Sequence, residues 1–121
     1  MKDWPFEVHP TGWYQVDWSA NLAPGEIKPL KYFSEDLILY RGESGRAQVL
    51  SAFCPHFGAH LGHGGKVCGD DVQCPWHGWR WSAEGANTHI PYAERPTTRG
   101  ALTPWETREI DGMVILWFDG N

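Results

Sequence analysis

Short apolar runs separated by turns containing glycine and proline dominate the hydrophobic pattern of this chain. Runs rich in aromatic and β-branched residues predict strands, and they lie at 13–16, 28–33, 37–40, 48–53, 79–82 and 113–118. A short loop from Gly42 to Gly45 separates the third and fourth runs, which predicts a hairpin. No segment has helical periodicity, so the pattern predicts an all-β fold.

The region 54–81 differs from this framework. It contains all three cysteines, four of the six histidines and six glycines. Val67 and Val72-Gln73 interrupt this loop region and are predicted to pair as a small ladder. The rest of the region has the composition of loops. The pattern therefore predicts one all-β domain over residues 1–121, with an insert suited to binding a metal.

Composition and charge exclude several classes of function. Ten Lys and Arg against fifteen Asp and Glu give a net charge of −5, without the basic patch of a nucleic-acid-binding protein. No apolar stretch approaches the ~18 residues of a membrane span, and the N-terminus has no signal-peptide pattern, so we expect a cytoplasmic protein. Three cysteines are an odd number, which favours metal binding in a reducing compartment over a disulfide scaffold.

Two short groups, with seventeen residues between them, carry the candidate chemistry: Cys54-Pro55-His56 and Cys74-Pro75-Trp76-His77. Each group pairs one thiolate with one imidazole. A Rieske-type [2Fe–2S] centre needs this division, because two cysteines bind one iron and two histidines bind the other. In the oxidised state the two thiolates cancel the net positive charge of the ferric ions and sulfides. An electron is added more easily to this neutral site than to the negative site that four thiolates would form. The sequence therefore predicts Cys54, His56, Cys74 and His77 as cluster ligands.

Structural zinc is the main alternative for these ligands. Zinc accepts two cysteines and two histidines, but usually through a tight Cys-x₂₋₄-Cys pair and a His-x₃₋₅-His pair. Here the cysteines are far apart in sequence. A zinc-stabilised interaction module remains a remote alternative.

The run CPHFGAHLGHGGKV, followed by CPWHGWRW, resembles the cluster-binding motif of Rieske proteins. It is most similar to the N-terminal domain of Rieske non-haem iron oxygenases, in particular the 3-ketosteroid 9α-hydroxylase oxygenase group. The resemblance continues through GWYQV, LAPGEIKPLKYFSEDLILYRGESG and IPYAERP to Trp117. It implies a Rieske-type antiparallel β-sandwich with a two-loop cluster-binding subdomain at about 54–81.

The resemblance also implies roles for individual residues. It assigns the four ligands as above, and it matches Trp79 to an aromatic residue that shields the cluster. The expected cluster surroundings are Phe57, Gly58, Leu61, Gly78 and Trp79. Respiratory Rieske proteins have a disulfide between the two loops, but its positions are Ala59 and Trp76 here, so that bridge cannot form.

An oxygenase domain of this type accepts electrons from a reductase or ferredoxin and passes them to a mononuclear iron in a separate catalytic domain. No histidine follows His89, so we expect no mononuclear iron site and no catalytic residue in this chain. The alternative is a free-standing Rieske-type ferredoxin that carries electrons between a reductase and an oxygenase.

Several other residues are interpreted as structural. His60 and His63 lie among glycines that disfavour a helix, so we expect them to pack in the loop or face solvent. Cys68 is expected to be a free side chain beside a turn formed by Gly69, Asp70 and Asp71. Each ligand histidine keeps one ring nitrogen free, so we expect the histidines at the exposed edge of the cluster and the cysteines inside.

Overall fold

The structure, a computed structural model, describes residues 10–55, 58–98 and 100–119. Within these ranges the chain forms eleven strands, β1 Gly12–Trp18, β2 Ile27–Tyr32, β3 Glu35–Arg41, β4 Ala47–Ser51, β5 Lys66–Cys68, β6 Asp71–Gln73, β7 Arg80–Trp81, β8 Asn87–His89, β9 Pro104–Trp105, β10 Thr107–Ile110 and β11 Met113–Phe118. The described helical structure is a 3₁₀ turn at Ser19–Asn21. These pairings are all antiparallel, which confirms the predicted all-β class.

The strands form three small sheets. We call β2-β3-β4-β9 the central sheet, β1-β11-β10 the terminal sheet and β5-β6-β7-β8 the loop sheet. The predicted hairpin is β3–β4, where Leu39 pairs with Val49. The predicted ladder is β5–β6, where Val67 pairs with Val72. Strands β8, β9 and β10 were not among the predicted runs.

The central sheet separates two buried cores, and β3 contributes to both. Alternate side chains of a strand point to opposite faces of its sheet. Leu37 and Leu39 therefore pack toward the terminal sheet, and Ile38 and Tyr40 pack toward the loop sheet. All four are completely buried, which explains why this strand is a continuous apolar run in the sequence.

The two cores differ in composition. The aliphatic core, between the central and terminal sheets, consists of Val16, Leu22, Leu37, Leu39, Ala47, Val49, Val114 and Leu116. The cysteine core, between the central and loop sheets, consists of Ile38, Tyr40, Leu50, Ala52, Cys54, Ala59, Leu61, Val72, Cys74, Trp81 and Leu102. Only the cysteine core contains candidate ligands.

An ion pair at the surface joins the central and terminal sheets on the side of the aliphatic core. Arg41 of β3 donates from Nη2 to Oε1 of Glu109 at 2.8 Å and from Nη1 to Oε2 at 3.1 Å. The Arg41 Nε group also donates to the Leu22 carbonyl oxygen at 2.8 Å. This fork geometry fixes the relative position of β3 and β10. Among the described residues no helix has the length and apolar character needed to cross a bilayer.

Candidate metal centre

Cys54 and Cys74 begin two loops with the same backbone closure. The Cys54 N–H donates to the Ala59 carbonyl oxygen at 2.8 Å, and the Cys74 N–H donates to the Trp79 carbonyl oxygen at 2.7 Å. In each loop the fourth residue after the cysteine is a glycine in the left-handed region, at φ 74° for Gly58 and 72° for Gly78. Only glycine adopts this conformation without strain. The two motifs therefore form one repeated loop structure.

The surrounding strands fix the position of each loop. The first loop is held against the end of β4 by the Leu61 N–H, which donates to the Ala52 carbonyl oxygen at 2.8 Å. The second loop connects β6 to β7, where Gln73 pairs with Arg80. The loops approach each other where a side chain at Gly64 would lie 3.3 Å from Pro75. Both loops therefore belong to the same end of the molecule.

Cys54 and Cys74 come together inside the cysteine core, with 1% and 2% of their surfaces exposed. Burial raises the pKa of the Cys74 thiol to about 11; the Trp76 N–H lowers it and neighbouring Cys54 raises it. That N–H lies 3.4 Å from the Cys74 Sγ. Two adjacent buried thiols cannot both ionise without a compensating positive charge. A metal centre supplies that charge.

The other two predicted ligands have different outcomes. His77 is exposed on the loop after Cys74 and has a left-handed backbone at φ 65°. Its exposure beside a buried cysteine agrees with the expected arrangement of histidines outside and cysteines inside. His56 and the predicted neighbour Phe57 lie outside the described residues. Within the described ranges no three His, Cys, Asp or Glu side chains gather in a geometry that would hold an ion.

The remaining predicted neighbours lie around these loops. Leu61 is completely buried in the cysteine core. Trp79 is half-buried, and its indole N–H donates to the Tyr92 hydroxyl at 2.8 Å. A Cβ at Gly78 would lie 3.1 Å from Pro91, so the segment containing Pro91 and Tyr92 covers the second loop. This contact was not predicted from the sequence, although Pro91 and Tyr92 belong to the IPYAERP run noted there.

A second tryptophan of this region, Trp81, was predicted only as part of a strand, without a role at the site. Trp81 is completely buried, and its indole N–H has no hydrogen-bond partner within the described structure. Buried donors are normally paired. A core that contains two thiols and an unpaired donor suits a group with metal charge and sulfur acceptors. The residues present therefore fit an iron–sulfur cluster.

His60, His63 and Cys68, which are interpreted from the sequence as structural, contact residues close to them in the sequence. His60 accepts the Gly62 N–H on Nδ1 at 3.0 Å, and its ring lies 4.2 Å from that of His63. Burial and then the neighbouring His63 lower the pKa of His60. The Cys68 thiol donates to Gln73 Oε1 at 3.5 Å. These contacts support packing roles for these residues.

Curated relatives resemble nearly the whole chain. Cholesterol 7-desaturase nvd of Xenopus laevis is 40% identical over 112 residues, which cover 92% of this chain and 25% of the relative. The oxygenase component of 3-ketosteroid-9-alpha-monooxygenase of Rhodococcus rhodochrous is 34% identical over 106 residues, which cover 88% and 28%. The chain thus spans about a quarter of the length of these relatives. The second relative confirms the resemblance to the ketosteroid oxygenases; the desaturases were not anticipated.

Solved structures and a family model also match this chain. A chain of the reduced complex between oxygenase and ferredoxin in carbazole 1,9a-dioxygenase matches with a TM-score of 0.77 and 27% identity, covering 92% of this chain and 30% of that one. Apo dicamba monooxygenase matches with a TM-score of 0.82 at 24% identity, covering 91% and 34%, which shows the fold. The Rieske [2Fe-2S] domain family matches residues 12–106, a range that includes both cysteine loops. The chain therefore belongs to the Rieske [2Fe–2S] domain family, whose cofactor is a Rieske-type cluster.

Proposed function

We propose that this chain is the electron-accepting Rieske domain of a non-haem iron oxygenase. We assign Cys54, His56, Cys74 and His77 as the cluster ligands, and residues 1–121 as one domain. The observation that carries the assignment is the contrast between two buried cysteines and an exposed histidine on the same pair of loops. This contrast gives the cluster one protected side and one side that a redox partner can approach.

The chain's own residues perform three tasks in this function. Cys54 and Cys74 hold the site in a dry core, where water cannot compete for the metal. The Trp76 N–H stabilises the Cys74 thiolate by donating to its sulfur. His77 presents the other side of the site to solvent. When bound, the cluster supplies one-electron oxidation and reduction at this position.

The donor and acceptor follow from the same proposal. A solved relative is a complex of an oxygenase with a ferredoxin, which supports a small redox protein as the electron donor here. The acceptor is a mononuclear iron in an oxygenase catalytic domain. Relatives named for cholesterol and for a 3-ketosteroid support a steroid as the oxygenase substrate. Three unpaired thiols suit the reducing cytoplasm.

Metal analysis and spectroscopy test the cluster assignment. Purified protein should be brown, contain two iron and two acid-labile sulfide per chain, and give a Rieske-type electron paramagnetic resonance signal after reduction. One zinc without sulfide, in a colourless protein, would instead support the interaction module. Replacement of His56 or His77 by Ala should remove the Rieske signal, and a retained signal would exclude that residue as a ligand.

The coding region beyond Asn121 separates the oxygenase from the ferredoxin. We expect it to encode a domain with two histidines and a carboxylate for a mononuclear iron. A stop codon there would favour the free-standing ferredoxin. With the full polypeptide and an electron donor, a steroid should be oxidised in step with oxygen consumption. Failure with both cholesterol and 3-ketosteroids would remove the substrate proposal and leave the electron-transfer function intact.

A further inference from the structure

Two tryptophan indole N–H groups are buried without an acceptor in the described structure, those of Trp81 and Trp105. They lie in chemically different surroundings. Trp105 packs against the aliphatic core, where its ring stacks on Phe33 at 5.9 Å. Trp81 belongs to the cysteine core, together with Cys54 and Cys74. The same side chain with the same unpaired donor therefore occurs once in the core that contains the two cysteines and once against the other core.

The position of Trp81 follows from its strand. Strand β7 begins directly after the second cysteine loop, and Trp81 pairs with Val72 of β6. Its side chain is completely buried, and its ring lies 6.2 Å from that of Trp79 with an angle of 29° between the planes. Apart from two thiols and the Tyr40 hydroxyl, which donates to Asp70, the side chains of this core are hydrocarbon or indole.

An indole N–H can only donate, so it needs an acceptor wherever it is shielded from water. The hydrocarbon side chains of the cysteine core provide none. Thiolate and sulfide sulfurs accept hydrogen bonds, and donors around iron–sulfur clusters set their potentials. An iron–sulfur cluster held by the two cysteines of this core would therefore provide the acceptor that the Trp81 indole N–H lacks.

We propose that the Trp81 indole N–H donates a hydrogen bond to a sulfur atom on the cysteine-bound side of the cluster. Trp81 is then a positioning residue that sets the reduction potential from inside the core. The inference rests on the proposed electron-transfer function and adds a determinant of its potential. Reduction adds negative charge to the sulfurs, so a donor stabilises the reduced state more than the oxidised state and raises the potential.

Replacing Trp81 by Phe keeps an aromatic ring and removes the donor. We expect the equilibrium constant for one-electron reduction to fall about two- to tenfold, which is the usual range for one hydrogen bond. A tenfold fall corresponds to about 59 mV for one electron. The matched control is Trp105→Phe, which removes the other unpaired indole donor outside the cysteine core. Its potential should equal that of the parent protein.

Protein-film voltammetry of the full chain with its cluster measures both variants. Incorporation of 3-benzothienylalanine at position 81 provides a second test, because sulfur replaces the indole N–H without changing the ring shape. This second variant tests the proposed hydrogen bond even if Trp81→Phe does not assemble a cluster. A lower potential in the position 81 variants alone supports the inference. An unchanged potential at position 81, or an equal shift in Trp105→Phe, would overturn it. A parent protein without a Rieske-type resonance would instead overturn the proposed function.

Discussion

The aliphatic core and the cysteine core lie on opposite faces of one sheet, yet they are completed by different means. The eight buried residues of the aliphatic core have only hydrocarbon side chains, which need nothing beyond burial. Trp105, whose indole N–H also lacks an acceptor in the described structure, packs against them. The cysteine core contains two thiols and an indole N–H that the described structure leaves without an acceptor. The two buried thiols therefore distinguish the cysteine core, because both can ionise only beside a compensating positive charge, which a metal centre supplies.

The sheets that border the two cores also differ in the length of their strands. The central and terminal sheets contain the longest strands, and β1 and β3 have seven residues each. The loop sheet has strands of two or three residues, connected in part by the second cysteine loop. Short strands contribute few hydrogen bonds and little buried area. We therefore expect the stability of residues 54–81 to depend on the cluster, while the framework folds independently of it.

The largest effect should follow from removing one cysteine ligand. Cys54→Ser or Cys74→Ser should lose the cluster completely, because a single thiolate leaves the cysteine-bound iron short of a ligand. Amide hydrogen exchange should then become fast across residues 54–81 and stay slow in β3 and β11. Cys68→Ser is the matched control and should keep the cluster, since the Cys68 thiol donates to Gln73 Oε1 and Cys68 is not among the residues of the cysteine core. Slow exchange in the loops of the cluster-free protein would contradict the expectation that these loops depend on the cluster for their stability.

Two neighbouring residues of β3 provide the next test, because they face different cores. Ile38 and Leu39 are both completely buried, in the cysteine and the aliphatic core respectively. Truncation of either to Ala should lower the free energy of unfolding by about 2–5 kcal/mol, measured by urea titration. Only Ile38→Ala should also speed the loss of visible cluster absorbance below the unfolding transition. Equal rates in the two variants would mean that the cores are not separate.

Much of the framework could be predicted because its strands follow local patterns. The apolar run at 37–40 and the β-type run at 113–118 correspond to β3 and β11. Strand β10, Thr107–Ile110, was missed because its four residues are mostly polar and three are exposed. Strands β8 and β9 have three and two residues, too few for any periodic signal.

One turn could not be predicted because tertiary packing determines it. Phe33 and Ser34 form the two-residue connection between β2 and β3, and both have left-handed backbones, at φ 57° and 62°. Such turns favour Asn and Gly, and a bulky residue there is strained. The Phe33 ring stacks on Phe118 at 4.1 Å, which offsets the strain through a contact distant in sequence.

The candidate site was predictable where it depends on ligand chemistry and unpredictable where it depends on packing. The two Cys–His groups were visible because soft and imidazole ligands recur at short spacing. The hydrogen bond between Trp79 and Tyr92, and the burial of Trp81 in the same core as the two cysteines, depend on the fold of the loop sheet. Tryptophan is so often a core residue that its presence alone indicates no particular role.

Two left-handed glycines, one in each region, provide a test with a smaller expected effect. Gly58 in the first cysteine loop and Gly112 in the β10–β11 turn are both left-handed, and a Cβ at either would meet no atom within 4 Å. Alanine should therefore cost only backbone strain, about 1 kcal/mol in each case by thermal or urea unfolding. Gly58→Ala should also change the reduction potential, because the Gly58 N–H donates to the Cys54 carbonyl oxygen at 2.7 Å and so helps to position a cluster ligand. A potential shift in Gly112→Ala would contradict the separation of the two regions.

The smallest predicted effect lies entirely in the framework and depends on pH. Hydrogen bonds from Arg41 hold the pKa of Glu109 below its usual value, although burial opposes them. A lowered folded-state pKa stabilises the protein above the ordinary glutamate pKa, and this contribution is lost as pH falls through the folded-state value. Glu109→Gln should therefore cost about 1 kcal/mol of unfolding free energy at neutral pH. The difference from the parent should shrink below the ordinary glutamate pKa and disappear in stronger acid.

Urea titrations from neutral to acidic pH measure this difference, with Glu106→Gln as the control. Glu106 pairs with Arg108, but their side chains are 53% and 60% exposed, so solvent weakens that interaction and the control should change little at any pH. The reduction potential should be the same in both variants, because Glu109 joins the central and terminal sheets on the side away from the cluster. A difference that stays constant down to strong acid would show that Glu109 acts through packing and not through its charge. A shifted potential in Glu109→Gln would show that the two faces of the central sheet are coupled.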